Sequence, residues 1–159
     1  MIPQVIPIAQ QFAVCDRFLD GLVGDFSDAD WQVTDPVGHD PRWLVGHLAA
    51  TRRRMLAMIG REPAPEPWEA FFGRGTTPAG VPAGQDPRAL VQALHDAHRL
   101  LAEAWEGLTP ESLARPLGLT LPDGSDTVGG ALGFLAWHEC YHLGQLGLLR
   151  RLTGKPGRA

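Results

Sequence analysis

Four stretches of the chain carry apolar residues at three- and four-residue spacing, the mark of amphipathic helices. The first spans about residues 3–23 and places Val5, Ala9, Phe12, Leu19 and Val23 on one face, interrupted by Asp16. The second opens at Asp40-Pro41, an N-cap followed by a proline at the first helical position, where no hydrogen bond is lost. It runs over about 41–59, with Leu44, Leu48, Thr51, Met55 and Met58 facing inward, and stops at Gly60. The third repeats the opening device at Asp86-Pro87 and extends to about residue 108. Its stripe is Leu90, Leu94, Ala97, Leu101, Ala104 and Trp105. The fourth spans about 127–152, capped by Asp126 or Thr127 and closed by Gly154 and Pro156. Ala131, Leu135, Leu146 and Leu149 form its apolar stripe, and His138 and His142 continue it.

The connections differ in kind. Residues 24–40 are turn-rich, with Trp31, Asp35-Pro36 and Gly38. Residues 60–85 are dense in proline and glycine and too long for a turn between neighbouring helices. This segment is expected to cross the bundle or cover one end, held to the body by Trp68, Phe71 and Phe72. Thr109-Pro110-Glu111 begins a short helical turn, residues 117–121 form a strand-like piece, and Asp123-Gly124 marks a turn. Nothing alternates over a length that demands a sheet. Four long amphipathic helices in 159 residues predict an all-α, four-helix bundle occupying 1–159 as one domain.

Composition narrows the function. A hydrophobic content of 44% and a net charge of −4 describe an ordinary globular chain, with no electrostatic footprint for nucleic acid. The clusters Arg52-Arg53-Arg54 and Arg150-Arg151 are short and read as solvated helix faces, the second also complementing a helix C-terminus. No apolar run approaches the ~20 residues of a membrane span. No charged leader precedes an apolar core, so a cytoplasmic protein is expected. Cys15 and Cys140 both fall on predicted helices and are too few for a disulfide framework, which makes reduced thiols the simplest reading.

The chemistry concentrates in Trp137-His138-Glu139-Cys140-Tyr141-His142. Two histidines four apart on a helix share one face about a turn apart, close enough for both imidazoles to reach one metal ion. A buried same-face pair is costly to satisfy without a ligand. The spelling His-Glu-x-x-His is that of zinc peptidases, in which the glutamate is the general base. The 17 residues after His142 hold no His, Glu, Asp or Cys, so a third ligand is sought upstream. His47, beside the inward stripe of the second helix, is the best upstream candidate, although a single such histidine is more often structural. His95 and His98 flank the stripe of the third helix and are assigned surface or edge roles. Asp16 is either a partner for a metal-bound imidazole or a polar residue at the stripe edge.

Trp43-Leu44-Val45-Gly46-His47-Leu48, followed about ninety residues on by His138-Glu139-Cys140-Tyr141-His142-Leu143-Gly144-Gln145-Leu146, resembles the DinB-like (YfiT-like) superfamily. The ending Leu148-Leu149-Arg150-Arg151-Leu152-Thr153-Gly154-Lys155-Pro156 is similar to the family's as well. The resemblance implies an up-down-down-up bundle with a long crossover between helices 2 and 3, often a homodimer. It implies a divalent metal, zinc or nickel, held by His47, His138 and His142. It also implies a small-molecule substrate, with a low-molecular-weight thiol as partner in some relatives, which are S-transferases or isomerases. Others are metal-dependent hydrolases.

Three neutral imidazoles would leave a dication with open positions for water or substrate. Glu139, rotated about 100° from its ligand neighbour, is a candidate general base, an imidazole-orienting group or a residue facing another helix. Thr51 and Gln145 lie on the ligand-bearing faces as candidate pocket walls. Cys140 is turned away from His138 and is not expected to ligate. The leading expectation is a metal-dependent S-transferase or hydrolase. Its alternatives are a bundle stabilised by a non-catalytic ion and a His-Glu-x-x-His peptidase.

Overall fold

The structure, a computed structural model, describes residues 1–158. The helices are α1 (Ile6–Val23), α2 (Pro41–Met58), α3 (Pro87–Ala104), the short α4 (Pro110–Ala114) and α5 (Val128–Leu152). The caps are those the sequence predicts. Asp40 accepts from the Trp43 amide at 2.6 Å, Asp86 from the Arg88 amide at 3.0 Å and Thr127 from the Gly130 amide at 3.3 Å. Each satisfies a first-turn donor that the helix itself leaves free. Two boundaries move. α1 begins at Ile6 rather than residue 3, and α3 ends at Ala104, where Trp105–Gly107 tightens into a 3-10 turn. The strand-like piece at 117–121 does not form a strand; a single antiparallel bridge joins Pro116 to Thr127.

Side-chain pairings fix the helix directions. From α2 to α3, Arg42 reaches the Pro82 carbonyl just before α3, Arg52 reaches the Leu94 carbonyl, and Leu56 shares a cavity with Leu100 and Ala104. Both numbers rise together, so α2 and α3 are parallel and the 59–86 segment must cross the length of the bundle. From α1 to α5, Gln11 reaches Ala136 and Leu22 meets Arg150, so this pair is parallel too. Asp16 and Asp20 meet His95, while Phe12 stacks near Trp105, so α1 and α3 are antiparallel. The order is up, down, down, up.

Two apolar clusters form the core. One gathers Leu19, Leu22, Leu44, Leu48, Phe72, Leu90, Leu146 and Leu149, and the other Phe12, Met55, Leu101, Trp105, Val128 and Leu132. Between them lies Arg52, 1% exposed, and Arg150 is fully buried at the other end of α5. These two arginines are not on solvated faces. The basic clusters had suggested otherwise because a run of arginines reads as a solvated face while its acidic partners stand far off in sequence. Arg52 pairs with Glu139 and Asp16, and Arg150 binds Asp25 and the carbonyls of Leu22 and Pro156. Arg150 thereby folds the residues after α5 back onto the end of α1. Gly154 permits that reversal with a left-handed φ of 80°. Among the described residues, no helix is long and apolar enough to cross a membrane.

The buried face of α5 also differs from the expected stripe. Leu132, Ala136, Glu139, Leu143 and Leu146 are its inward line, while Leu135 and His138 are half-buried on one flank. The crossover is held as its aromatic residues suggest. Phe72 is fully buried, and its ring occupies the space that a Cβ on Gly46 would need. Only glycine at 46 lets the crossover lie this close to α2. Gly46→Ala should overpack this contact and destabilise the fold by about 1–3 kcal/mol, read as a lower urea midpoint. An unchanged midpoint would show that the crossover can shift without cost.

Candidate metal centre

α2 and α5 run antiparallel, and their mid-sections bring His47 opposite His138 and His142. The three side chains offer nitrogens that all lie within 4.8 Å of one another. His138 Nε2 is 3.3 Å from His47 Nε2 and 3.0 Å from His142 Nε2. His47 and His142 are each 8% exposed. The structure therefore brings together all three histidines singled out as ligands. His95 and His98 lie elsewhere, His95 bridging Asp16 and Asp20 at 3.0 Å each.

The outer nitrogens decide what the inner ones can do. His47 Nδ1 is 2.8 Å from the Phe72 carbonyl, which only accepts, so Nδ1 carries the proton and Nε2 presents a lone pair. His142 Nδ1 lies 2.6 Å from Gln145 Oε1, which sets the same tautomer. Two lone pairs thus converge on His138 Nε2, which has at most one proton to share between them. His138 Nδ1 is buried with no hydrogen-bond partner among the described residues. Protonating the rings is disfavoured. Burial, followed by the charge of neighbouring groups, lowers His138 to about 4 and His142 to about 3. Burial also lowers His47. Three neutral nitrogens facing one point fit a divalent cation, and imidazoles held by a carbonyl and an amide oxygen are oriented as metal ligands commonly are.

Gly46 and Phe72 are part of this arrangement. The close approach at Gly46 brings the crossover backbone to α2, and the next residue, His47, receives its acceptor from it. Trp43, one turn earlier, stacks on His47 with ring centroids 4.8 Å apart and planes 11° from parallel. Its indole Nε1 donates to Thr76 Oγ1 at 3.1 Å. The segment Gly73-Arg74-Gly75 is therefore tethered on both sides, and Gly75 turns with φ of 85°. A cleft of about 380 Å³ opens beside the histidines, walled by Trp43, Thr51, residues 73–75, Leu121, Pro122, Phe134 and Leu135. Among the described residues that line it, Arg74 is the only charged side chain.

Glu139 does not line this cleft. It is 3% exposed, and both its oxygens accept from Arg52, from Nε at 3.0 Å and from Nη2 at 2.5 Å. Arg52 Nη1 donates to Asp16 Oδ1 at 2.6 Å. Asp16 thus partners Arg52 and His95, and no hydrogen bond joins it to the three-histidine cluster. Thr51 is a wall of the cleft as expected, whereas Gln145 sits behind His142 and orients it. The Phe72 carbonyl had no signature in the sequence beyond an aromatic pair in a long crossover. Arg52 had one: Leu48, Arg52 and Met55 are spaced as an inward line, and so are Ala136, Glu139 and Leu143. Opposite charges at inward positions of two helices are a detectable sign of a buried pair.

The sequence profile of the DinB superfamily matches residues 11–146, and the chain belongs to that superfamily. Among solved structures it is similar to YfiT from Bacillus subtilis, described as a probable metal-dependent hydrolase with an unusual four-helix bundle topology. The two share 22% identity and a TM-score of 0.70, over 98% of this chain and 91% of YfiT. At that identity the likeness establishes the shared fold. No curated protein matches the chain.

The depressed histidines make the metal-free protein acid-sensitive. An unfolded histidine takes up a proton near pH 6.5, whereas folded His138 and His142 do so only near 4 and 3. As pH falls from 6.5 toward 4 the unfolded chain binds more protons than the folded one, so stability declines, levelling off once both states are protonated. The urea midpoint of metal-free protein should drop across this window, and less steeply for a His138→Gln, His142→Gln double variant. Equal slopes would mean that these rings are not held neutral.

Proposed function

We propose that this protein is a metal-dependent enzyme in which His47, His138 and His142 hold a divalent ion beside an apolar substrate cleft. The observation that carries the reading is the convergence of three Nε2 atoms, two of them deprotonated by the hydrogen bonds behind them. Imidazole donors suit zinc or nickel. When bound, such an ion supplies Lewis acidity and makes a water or thiol nucleophilic near neutral pH. The three histidines all border the cleft, which favours an open catalytic centre over a closed ion that only braces the bundle.

The residues of the chain divide the remaining work. Phe72 and Gln145 hold the His47 and His142 rings in one tautomer. Trp43 backs His47 and, through Thr76, keeps the crossover over the site. Leu121, Pro122, Phe134 and Leu135 exclude water from one side of a bound molecule. Arg74, tethered at the rim, suits a substrate whose apolar body ends in an anionic group. Thr51 is the only hydroxyl side chain on the wall, and no carboxylate lines it among the described residues. The nucleophile is therefore assigned to water or to a substrate thiol. Hydrolysis is the leading reaction, in keeping with the description of YfiT, and transfer to a low-molecular-weight thiol is the second. Glu139 is assigned a positioning role through Arg52 instead of that of a base. A peptidase reading loses its general base with this assignment, and the described residues offer no strand edge along which to align a peptide.

Competition against a chelating dye tests the ligand set. His47→Ala, His138→Ala and His142→Ala should each weaken metal binding by orders of magnitude, and Gln145→Leu by about 10–100-fold. His98→Ala should leave it unchanged. In parallel, zinc- and nickel-loaded protein is assayed against carboxyl esters, thioesters and thiol acceptors with apolar bodies, with and without a terminal carboxylate. Turnover that disappears with His47→Ala supports the enzyme. Turnover that survives complete metal removal contradicts it.

A further inference from the structure

Cys15 and Cys140 stand 125 residues apart in sequence, yet their Sγ atoms are 3.5 Å apart across the seam between α1 and α5. The proposed function uses neither. Cys15 is 2% exposed, while Cys140 is open to solvent, and both are free thiols. The seam is held in register on both sides of the pair. Gln11 Nε2 donates to the Ala136 carbonyl at 3.3 Å and to Cys140 Sγ at 3.0 Å, and Arg150 Nη1 donates to the Leu22 carbonyl at 3.0 Å. A disulfide needs its sulfurs at about 2.05 Å. The remaining closure of roughly 1.5 Å is within reach of side-chain rotation and a small approach of two helices that already touch.

We propose that Cys15 and Cys140 form a reversible intramolecular disulfide when the protein meets a peroxide, linking α1 to the turn of α5 that carries His138 and His142. Exposure makes Cys140 the first to react. Its sulfur takes one oxygen from the peroxide, giving a sulfenic acid, and the other oxygen leaves as water or alcohol. Cys15 Sγ then attacks the Cys140 sulfur. The S–S bond forms, the S–O bond breaks, and the departing hydroxide carries off the Cys15 proton as water. Two thiols lose two electrons, and the peroxide gains them. A dithiol restores both cysteines by exchange. Burial, and then the nearby charge of Glu139, raise the Cys15 thiol pKa, which slows the second step relative to a free thiol. Proximity opposes that delay, because the attacking sulfur is already in contact with its target.

The pair can be tested on the full chain with hydrogen peroxide as the oxidant, followed by denaturing alkylation and intact-mass analysis. The expected product has lost two hydrogens, takes up no alkylating agent, and yields a crosslink between the peptides containing Cys15 and Cys140. Dithiothreitol should return it to the starting mass. The crosslink closes a long loop, so the apparent Tm should rise by about 5–15 °C. Cys140→Ser, at an exposed position, should abolish both the crosslink and the rise in Tm. Three results would overturn the proposal: Cys140 oxidised to sulfinic acid while Cys15 remains alkylatable, a crosslink found only between two chains, or both thiols unchanged under conditions that oxidise a free cysteine. The wild-type mass alone decides, so a variant that folds poorly does not obscure the outcome.

Discussion

One guanidinium touches all four long helices. Arg52 extends from α2 to Glu139 on α5, Asp16 on α1 and the Leu94 carbonyl on α3, with the ring of Phe12 5.8 Å from its centre. It lies between the two apolar clusters, where an unpaired charge would cost several kcal/mol. A buried ion pair contributes little net stability against a well-packed apolar alternative, but it is intolerant of misalignment. Leucines at these positions would allow α5 to rotate or slide by a fraction of a turn. A bidentate carboxylate–guanidinium contact does not. Arg52 therefore sets the register of α5 against α2.

The histidine cluster inherits its geometry from this constraint. Glu139 follows His138 directly and precedes His142 by three residues, so fixing Glu139 against Arg52 fixes the direction in which both histidines leave α5. Arg52 in turn follows His47 by five residues on α2. The polar layer and the histidine layer are thus two levels of the same α2–α5 contact. The third support comes from outside the helices. Gly46 removes the side chain that would hold Phe72 away, and the Phe72 carbonyl sets the His47 tautomer. The apposed cysteines set the same α5 turn against α1.

Local signals in the sequence were enough to place the helices. Asp40-Pro41 and Asp86-Pro87 start helices because an N-cap acceptor and a proline at the first position suit no interior site, and the apolar periodicity supplies their faces. The His138–His142 pair is equally local. The rest depends on contacts between residues far apart in sequence. Arg52 and Arg150 read as solvated because their partners are distant, and the Phe72 carbonyl is a backbone atom with no side-chain signature. The His-Glu-x-x-His spelling offers Glu139 as a base, whereas its inward spacing with Ala136 and Leu143 places it in the polar layer. Where the two signals conflict, the inward spacing agrees with the structure.

Whether the three-histidine cluster is a metal centre is tested most directly on the full chain, purified without an affinity tag or added metal. Metal content is measured by mass spectrometry and coordination by X-ray absorption. Close to one divalent ion per chain is expected, with three imidazole nitrogens and at least one non-protein oxygen in its first coordination sphere. Protein that contains no metal and binds neither zinc nor nickel at micromolar concentration would contradict a metal centre. So would an ion coordinated by sulfur or by two histidines alone.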